Sequence, residues 1–411
     1  MTHTKHPHSR IDKLIRQDLI WQEQSYQLQR YPHQHRKELR AWDSADLYLL
    51  NTLMDMNLNL EHIVILHDQF GALAIPLASY KPTIYLDSWM SKRAIELNLE
   101  HHQKDPEVST TPLDIVNDFN ALAKKLTSSS VVIGKIPKQK NQFIALLKVL
   151  KQNLKPKTPL LLAGMDKHLS RSQYDLVAQH FGPTEFLPGV KKARIWKAYR
   201  EPLDDDQPDQ PKPEQKLQDE LKPFLGKKID IPQYQLRLQA LPNVFSQDKL
   251  DHGSRFFLEN FKQLPAKIKV TDLACGCGAL GLAYLRLHPK AQLTFCDESF
   301  QAIMSCKYNL AHNIIEAQET AQIYADDGLK QMPANSQELI LCNPPFHQQH
   351  TVSTDIANSL FTDAYRALKK EGELWIVANR HLNYHISLKK RFTHCVTMAS
   401  NKKFVILKAI K

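Results

Sequence analysis

A chain of 411 residues, 42% hydrophobic and 24% charged, has room for roughly two or three folded domains and is too apolar to be disordered throughout. Its formal net charge of +11 points to a polyanionic partner, nucleic acid being the simplest. Its six cysteines form no C-x-x-C pair, and no apolar run approaches the ~20 residues of a membrane span. A secreted disulfide scaffold and a membrane protein are thereby excluded, and a cytoplasmic location is expected.

In chain order, residues 1–30 are polar and basic and are expected to form a loosely ordered extension. Its opening, "MTHTKHPHSR", lacks the apolar stretch of a signal peptide. From 31 to 200, apolar runs alternate with amphipathic helical patterns, which predicts a parallel sheet covered by helices. Residues 201–222 are acidic and rich in Pro, cannot bury a core, and are predicted to be a linker. A second α/β domain is expected over 223–411. Here "QYQLRLQAL" alternates strictly, placing Tyr234, Leu236, Leu238 and Ala240 on one side of an antiparallel strand. "KIKVTDLAC", "AQLTFCDE", "QELILCN", "GELWIVAN" and "KKFVILKAI" read as buried strands, and "FTDAYRALKK" puts Phe361, Ala364 and Leu368 on one helical face.

The two halves repeat each other. "IVILHDQFGALAIPL" (63–77) overlies "VTDLACGCGALGLAY" (270–284), so that Gly71 meets Gly278. "TIYLDSWMS" then meets "LTFCDESFQ", pairing Asp87 with Asp297, and "SVVIGKIPK" meets "LILCNPPF". "ARIWKAYR" resembles "KFVILKAIK" at the ends, and four segments recurring in one order predict an internal duplication: two tandem Rossmann-like domains, each a mostly parallel twisted sheet flanked by helices.

"DLACGCGALG" (272–281) follows a strand and opens a helix, where Gly276, Gly278 and Gly281 let backbone N–H groups approach a ligand. The spacing also matches the dinucleotide fingerprint, so NAD stays open on this motif alone. Asp297 ends the next strand, placed to accept ribose hydroxyls, and Asp326 or Asp327 ends the third, placed to accept an adenine amino group. Asp272, on the strand before the glycines, can reach the amino group of the methionine part of S-adenosylmethionine (SAM) and favours that cofactor over NAD. The fourth strand ends in Asn343-Pro344-Pro345-Phe346. The Asn343 side-chain oxygen and the Pro344 carbonyl can each accept one N–H of an exocyclic amine, turning its lone pair toward a methyl donor. Phe346 can stack on the base, worth ~1–3 kcal/mol. The prolines hold both acceptors fixed. Neither the Cys275-x-Cys277 pair nor His347 with His350 has the further ligands of a zinc site, so no metal is expected.

This order of motifs resembles the class I SAM-dependent methyltransferases that act on planar exocyclic nitrogens. "NVFSQDKLDHGSRFF", "CNPPFHQQH", "GELWIVANRHLNYHISLKK" and "NKKFVILKAIK", with "AWDSADLYLL" and "DQFGAL" in the first half, narrow the likeness to the family of large-subunit ribosomal RNA guanine-N2 methyltransferases. The resemblance implies transfer of methyl from SAM to N2 of guanine-1835 of 23S rRNA. Because a paired guanine hides its N2, naked or partly assembled 23S rRNA is the expected substrate, and the protein is expected to be a monomer needing no membrane or metal. It implies that Asp272, Gly276, Gly278 and Gly281 shape the SAM loop, with Asp297 at the ribose, Asp327 at the adenine and Asn343 to Phe346 at the guanine. One departure is Ala274, where the class usually has Gly; it puts SAM affinity in question. The corresponding small-subunit enzymes, and an RNA-binding assembly factor without catalysis, remain alternatives.

The duplication sets Ile65 against Asp272, Gln69 against Gly276, and Lys135 against Asn343. The first half is accordingly expected to bind no SAM. Its lysines, Lys124, Lys125, Lys135, Lys138 and Lys140 with Lys148 and Lys151, are expected to hold RNA phosphates, joined by Arg255 and His347 of the second half.

Overall fold

The computed structural model describes residues 18–32, 39–102, 112–201, 221–345 and 350–411. The chain divides into two compact units, Met1–Lys212 and Pro213–Lys411. The first opens with a hairpin of β1 (Leu19–Trp21) and β2 (Gln24–Tyr26). This corrects the expected loose extension for residues 18–30. Leu19 and Trp21, two apart on a strand, face the same side, and both are buried with Tyr26 in one core with Ile65, Leu73 and Ile84. Residues 1–17 lie outside the described residues.

The rest of the first unit runs α1 (Ser44–Asp55), β3 (Val64–Leu66), β4 (Thr83–Tyr85), α2 (Trp89–His102), β5 (Asp114–Val116), α3 (Phe119–Leu126), β6 (Val132–Lys135), α4 (Lys140–Asn153), β7 (Pro159–Met165), α5 (Arg171–His180), β8 (Thr184–Phe186) and β9 (Ala193–Tyr199). The sheet order is β5-β4-β3-β6-β7-β9-β8. Strands β3 to β7 are parallel, and β9 is antiparallel to both its neighbours. Every residue of β3 is buried, as suits a parallel strand covered on both faces.

Of the predicted linker, residues 202–220 lie outside the described residues. Leu221 packs against Ala240, Leu241 and Val244 and belongs to the second unit's core. There β10 (Ile229–Ile231) pairs antiparallel with β11 (Leu236–Leu238) in a separate ribbon. The predicted alternation is buried at all four positions, but Tyr234 sits in a tight helical turn, its hydroxyl donating to the Leu258 carbonyl at 2.6 Å. The chain continues through α6 (His252–Glu259), β12 (Lys269–Leu273), α7 (Ala279–Leu287), β13 (Gln292–Asp297), α8 (Phe300–Asn313), β14 (Gln322–Ala325), β15 (Gln337–Cys342), α9 (His350–Ala367), β16 (Leu368–Asn379), α10 (Tyr384–Lys389), β17 (His394–Ser400) and β18 (Phe404–Ile410). Phe361 and Ala364 bury one face of α9, whereas Leu368 is buried as the first residue of β16 rather than as part of the helix.

The second sheet runs β14-β13-β12-β15-β16-β18-β17, the same order as the first counted from β3 and β12. The chain leaves β12 for β13 on one side and returns as β15 on the other. The loops after β12 and β15 therefore diverge, and the crevice between them is where open α/β sheets take ligands.

Candidate active site

Four strand ends line up at this crevice. Leu273 pairs with both Cys296 and Cys342, and Asp297 pairs with Ala325. The loop at 274–278, Asp297, Asp326, Asp327 and Asn343 thus emerge along one edge. Ala274, Gly276 and Gly278 all have left-handed backbones, with φ of 56°, 54° and 84°. For Ala274 this costs roughly 1–2 kcal/mol that a glycine would not incur. A Cβ on Gly276 would meet only Val244, at 3.9 Å, so the loop faces open space there. Gly281 lies against the ring of Phe295, where a side chain would collide. Helix α7 starts at Ala279 with Gly278, which has no side chain to offer, as its N-cap; Asp272 reaches in to accept from Gly281 N.

The carboxylates differ in how much of their bonding capacity is left. Asp272 is buried; its Oδ2 accepts from Gly281 N at 2.7 Å, and its Oδ1 has no hydrogen-bond partner among the described residues. Burial pushes its pKa up to about 8. Asp297 accepts from Gly276 N at 2.9 Å and Ser299 N at 3.0 Å, tying the loop to β13, and burial raises its pKa despite those donors. Asp326 is fully buried, and its two oxygens accept from Asp327 N and Gln331 N, so it serves the turn. Asp327 keeps an Oδ2 without a hydrogen bond among the described residues, with the Lys330 ammonium at 3.7 Å.

Asn343 follows Cys342 directly and so stands beside Ala274. Its Nδ2 donates to Asp251 Oδ2 at 3.2 Å and to Ser254 Oγ at 2.9 Å. Its Oδ1 is buried and has no partner among the described residues. Pro344 is buried and Pro345 exposed; Phe346 and His347 lie outside the described residues. Sequence reasoning missed Asp251 and Ser254. The Asp-His-Gly-Ser stretch carries the signature of a helix N-cap, and Asp251 does cap α6, accepting from Gly253 N and Ser254 N. Nothing local in that stretch announces its second partner, Asn343.

Residues 235–408 match the family model described as methyltransferase small domain, and residues 16–202 match the RLMG N-terminal domain. A ribosomal RNA large subunit methyltransferase G from Aeromonas salmonicida is 37% identical, over 93% of this chain and 96% of its own length. The proteins of the same name from Stutzerimonas stutzeri and Vibrio cholerae are 38% and 35% identical, over 94% and 97% of this chain and 97% and 100% of theirs. The chain belongs to the ribosomal RNA large subunit methyltransferase G family. Among solved structures, a Thermus thermophilus 16S rRNA N2 G1207 methyltransferase in complex with AdoMet and guanosine superposes with a TM-score of 0.70 at 18% identity. That match covers 96% of this chain and 97% of the other, and it shows that the family member here shares the two-unit fold.

The corresponding edge of the first unit is closed. Leu66 pairs with Tyr85 and Gly134 as Leu273 pairs with Cys296 and Cys342, which sets Ile65 against Asp272 and Lys135 against Asn343. The register corrects one pairing: the counterpart of Asp297 is Leu86, and Asp87 stands one residue further on, opposite Glu298. His67, with φ of 56°, matches Ala274, and Gly71, at 87°, matches Gly278. At the position of Cys275 stands Asp68. Its buried carboxylate accepts from Gly71 N, Ala72 N, Leu73 N and Ala74 N at 2.8–3.0 Å. Lys135 lies between Asp43 at 2.6 Å and Asp46 at 3.0 Å. Burial works to lower its pKa, the two aspartates outweigh that, and it ends raised. This corrects the expectation that Lys135 holds phosphate, because its charge is already matched by two carboxylates. Lys125 is exposed but pairs with Asp114 at 2.8 Å; Lys124, Lys138, Lys140 and Arg255 are exposed. Among the described residues no helix is long and apolar enough to cross a membrane, and no cluster of three or more His, Cys, Asp or Glu side chains could hold a metal ion.

Proposed function

We propose that the chain is a SAM-dependent methyltransferase that modifies the exocyclic N2 of guanine-1835 in 23S rRNA, and that its second unit alone carries the chemistry. The observation that carries this reading is the buried Oδ1 of Asn343, without a hydrogen-bond partner among the described residues, beside a loop in which Ala274, Gly276 and Gly278 are left-handed. A buried acceptor without a donor costs about 1–3 kcal/mol, and an amino group of a base supplies the missing donor. SAM fits the loop on three counts: Asp272 Oδ1, without a hydrogen-bond partner among the described residues, for an ammonium; the open space at Gly276; and the start of α7 at Ala279, whose N-cap glycine has no side chain, for a carboxylate. When bound, SAM supplies a methyl on a sulfonium, which leaves as a neutral thioether. Asn343 and the Pro344 carbonyl hold the two N–H groups of the guanine amine, so that its nitrogen lone pair faces the methyl; a proton is then lost to solvent. Asp297 serves the ribose and Asp327, with its spare oxygen, the adenine. Stacking by Phe346 rests on the sequence alone.

A paired guanine hides N2 in the minor groove, so the target is unpaired or flipped out, and naked or partly assembled 23S rRNA is the substrate. The protein acts as a monomer in the cytoplasm. The shared strand order and the matching φ pairs at His67/Ala274 and Gly71/Gly278 support an internal duplication, of which the first unit is a non-catalytic copy that binds RNA. The decisive experiment incubates the protein with labelled SAM and total rRNA and maps the modified nucleotide. Asn343→Ala is expected to reduce transfer to background while SAM still binds. Label on another nucleotide overturns the position, and an active Asn343→Ala overturns the assigned site.

A further inference from the structure

We infer that Asp251 and Ser254 are positioning residues that set which way round the Asn343 amide lies. The inference rests on the role of Asn343 proposed above and deepens it. An asparagine amide has two nearly isosteric ends, and only the oxygen can accept from a guanine amine. A rotation by half a turn would present an N–H to an N–H and disable the corner. The carboxylate of Asp251 is acceptor-only, so the end of Asn343 that faces it must be the NH2, which it meets at 3.2 Å while Ser254 Oγ takes the same nitrogen at 2.9 Å. The two contacts leave Oδ1 as the end without a partner among the described residues. Asp251 is itself held, because the same Oδ2 accepts from Gly253 N and Ser254 N at the start of α6. Gly253 keeps the gap narrow: a Cβ there would come within 2.9 Å of Asp251 Oδ2 and 3.5 Å of Asn343 Oδ1.

The first unit supports this independently. There Asp43 caps α1 in the same way and, with Asp46, receives the ammonium of Lys135, the residue in the place of Asn343. In both units an acidic helix cap grips whatever side chain follows the fourth strand. Only in the second does that grip leave an acceptor over.

The test compares kcat, KM for an unmethylated 23S rRNA transcript, and SAM affinity across three variants of the full chain. Asp251→Ser keeps a capping oxygen but is too short to hold Asn343. It is expected to lower kcat by roughly 10- to 100-fold, the scale of losing a charge-assisted hydrogen bond, with KM and SAM affinity unchanged. Asp251→Asn, which retains an oxygen for both the cap and the amide, is expected to recover at least about tenfold of that loss. Ser254→Ala, which leaves the cap alone, is expected to lower kcat by roughly 3- to 10-fold. Wild-type kcat in Asp251→Ser, or equal impairment of Asp251→Ser and Asp251→Asn, overturns the inference. Asn343→Ala separates the two levels: if it is inactive while Asp251→Ser keeps wild-type kcat, only the positioning role falls, whereas an active Asn343→Ala removes the proposed site itself.

Discussion

Asp272 is a carboxyl with one oxygen tied to Gly281 N and the other without a partner among the described residues, in a setting that burial first and Asp297 second make hostile to charge. Its folded pKa of about 8 lies above the ordinary 3.8, so the folded state holds this proton more tightly than the unfolded chain. Its contribution to stability is therefore present at low pH and declines as pH rises from the ordinary value toward about 8. Binding an ammonium reverses the preference and expels the proton. Between about pH 5.5 and 7.5 an α-amino group stays protonated, so SAM affinity should rise by up to roughly tenfold per pH unit over that window. Titration calorimetry at several pH values checks this. Asp272→Asn should bind more weakly at every pH and show no such slope, and a flat wild-type profile would remove Asp272 from the ammonium site.

At the scale of elements, the loop after β3 keeps the backbone of the loop after β12 and loses its vacancy. Asp68 accepts from four buried N–H groups of its own loop, whereas at the start of α7 Asp272 accepts from Gly281 N and keeps its other oxygen without a partner among the described residues. Asp68→Ala orphans buried N–H groups and is expected to cost about 2–4 kcal/mol in urea unfolding of the full chain. Tryptophan fluorescence reports it well, since Trp21, Trp42, Trp89 and Trp196 of the five tryptophans lie in the first unit. Such elements were unevenly legible. The parallel strands could be read because apolar runs such as Leu339 to Cys342 need only be covered on both faces. The hairpin at Leu19 to Tyr26 could not, because three-residue strands among polar neighbours carry too little pattern. The slip between Leu86 and Asp87 has a similar origin, since apolar composition does not fix register to one residue when both faces are buried. The glycine loop and the Asn-Pro-Pro corner were legible because their chemistry is local. The grip of Asp251 on Asn343 was not, since it exists only once the fold brings the start of α6 to the end of β15.

For the whole molecule, a charge of +11 must be divided into cations already matched inside a unit and cations presented to solvent. Lys135 belongs to the first class and Lys138 and Lys140 to the second. Charge reversal at Lys138 and Lys140 together is expected to weaken rRNA binding, to reduce the slope of log affinity against log salt by roughly 2, and to leave SAM affinity intact. Lys140 opens α4, where a glutamate suits the helix dipole, so folding is not put at risk. Filter binding over a salt series measures the slope, and an unchanged slope would exclude these two lysines from the RNA contact. The closed edge of the first unit has a further consequence. Exchanging Lys135 for asparagine strands Asp43 and Asp46 as neighbouring like charges; removing Asp68 orphans four buried N–H groups; placing an acid at Leu86 buries it among apolar groups. Each step toward a cofactor pocket in the first unit is uphill by itself, so no single one of these substitutions opens such a pocket there.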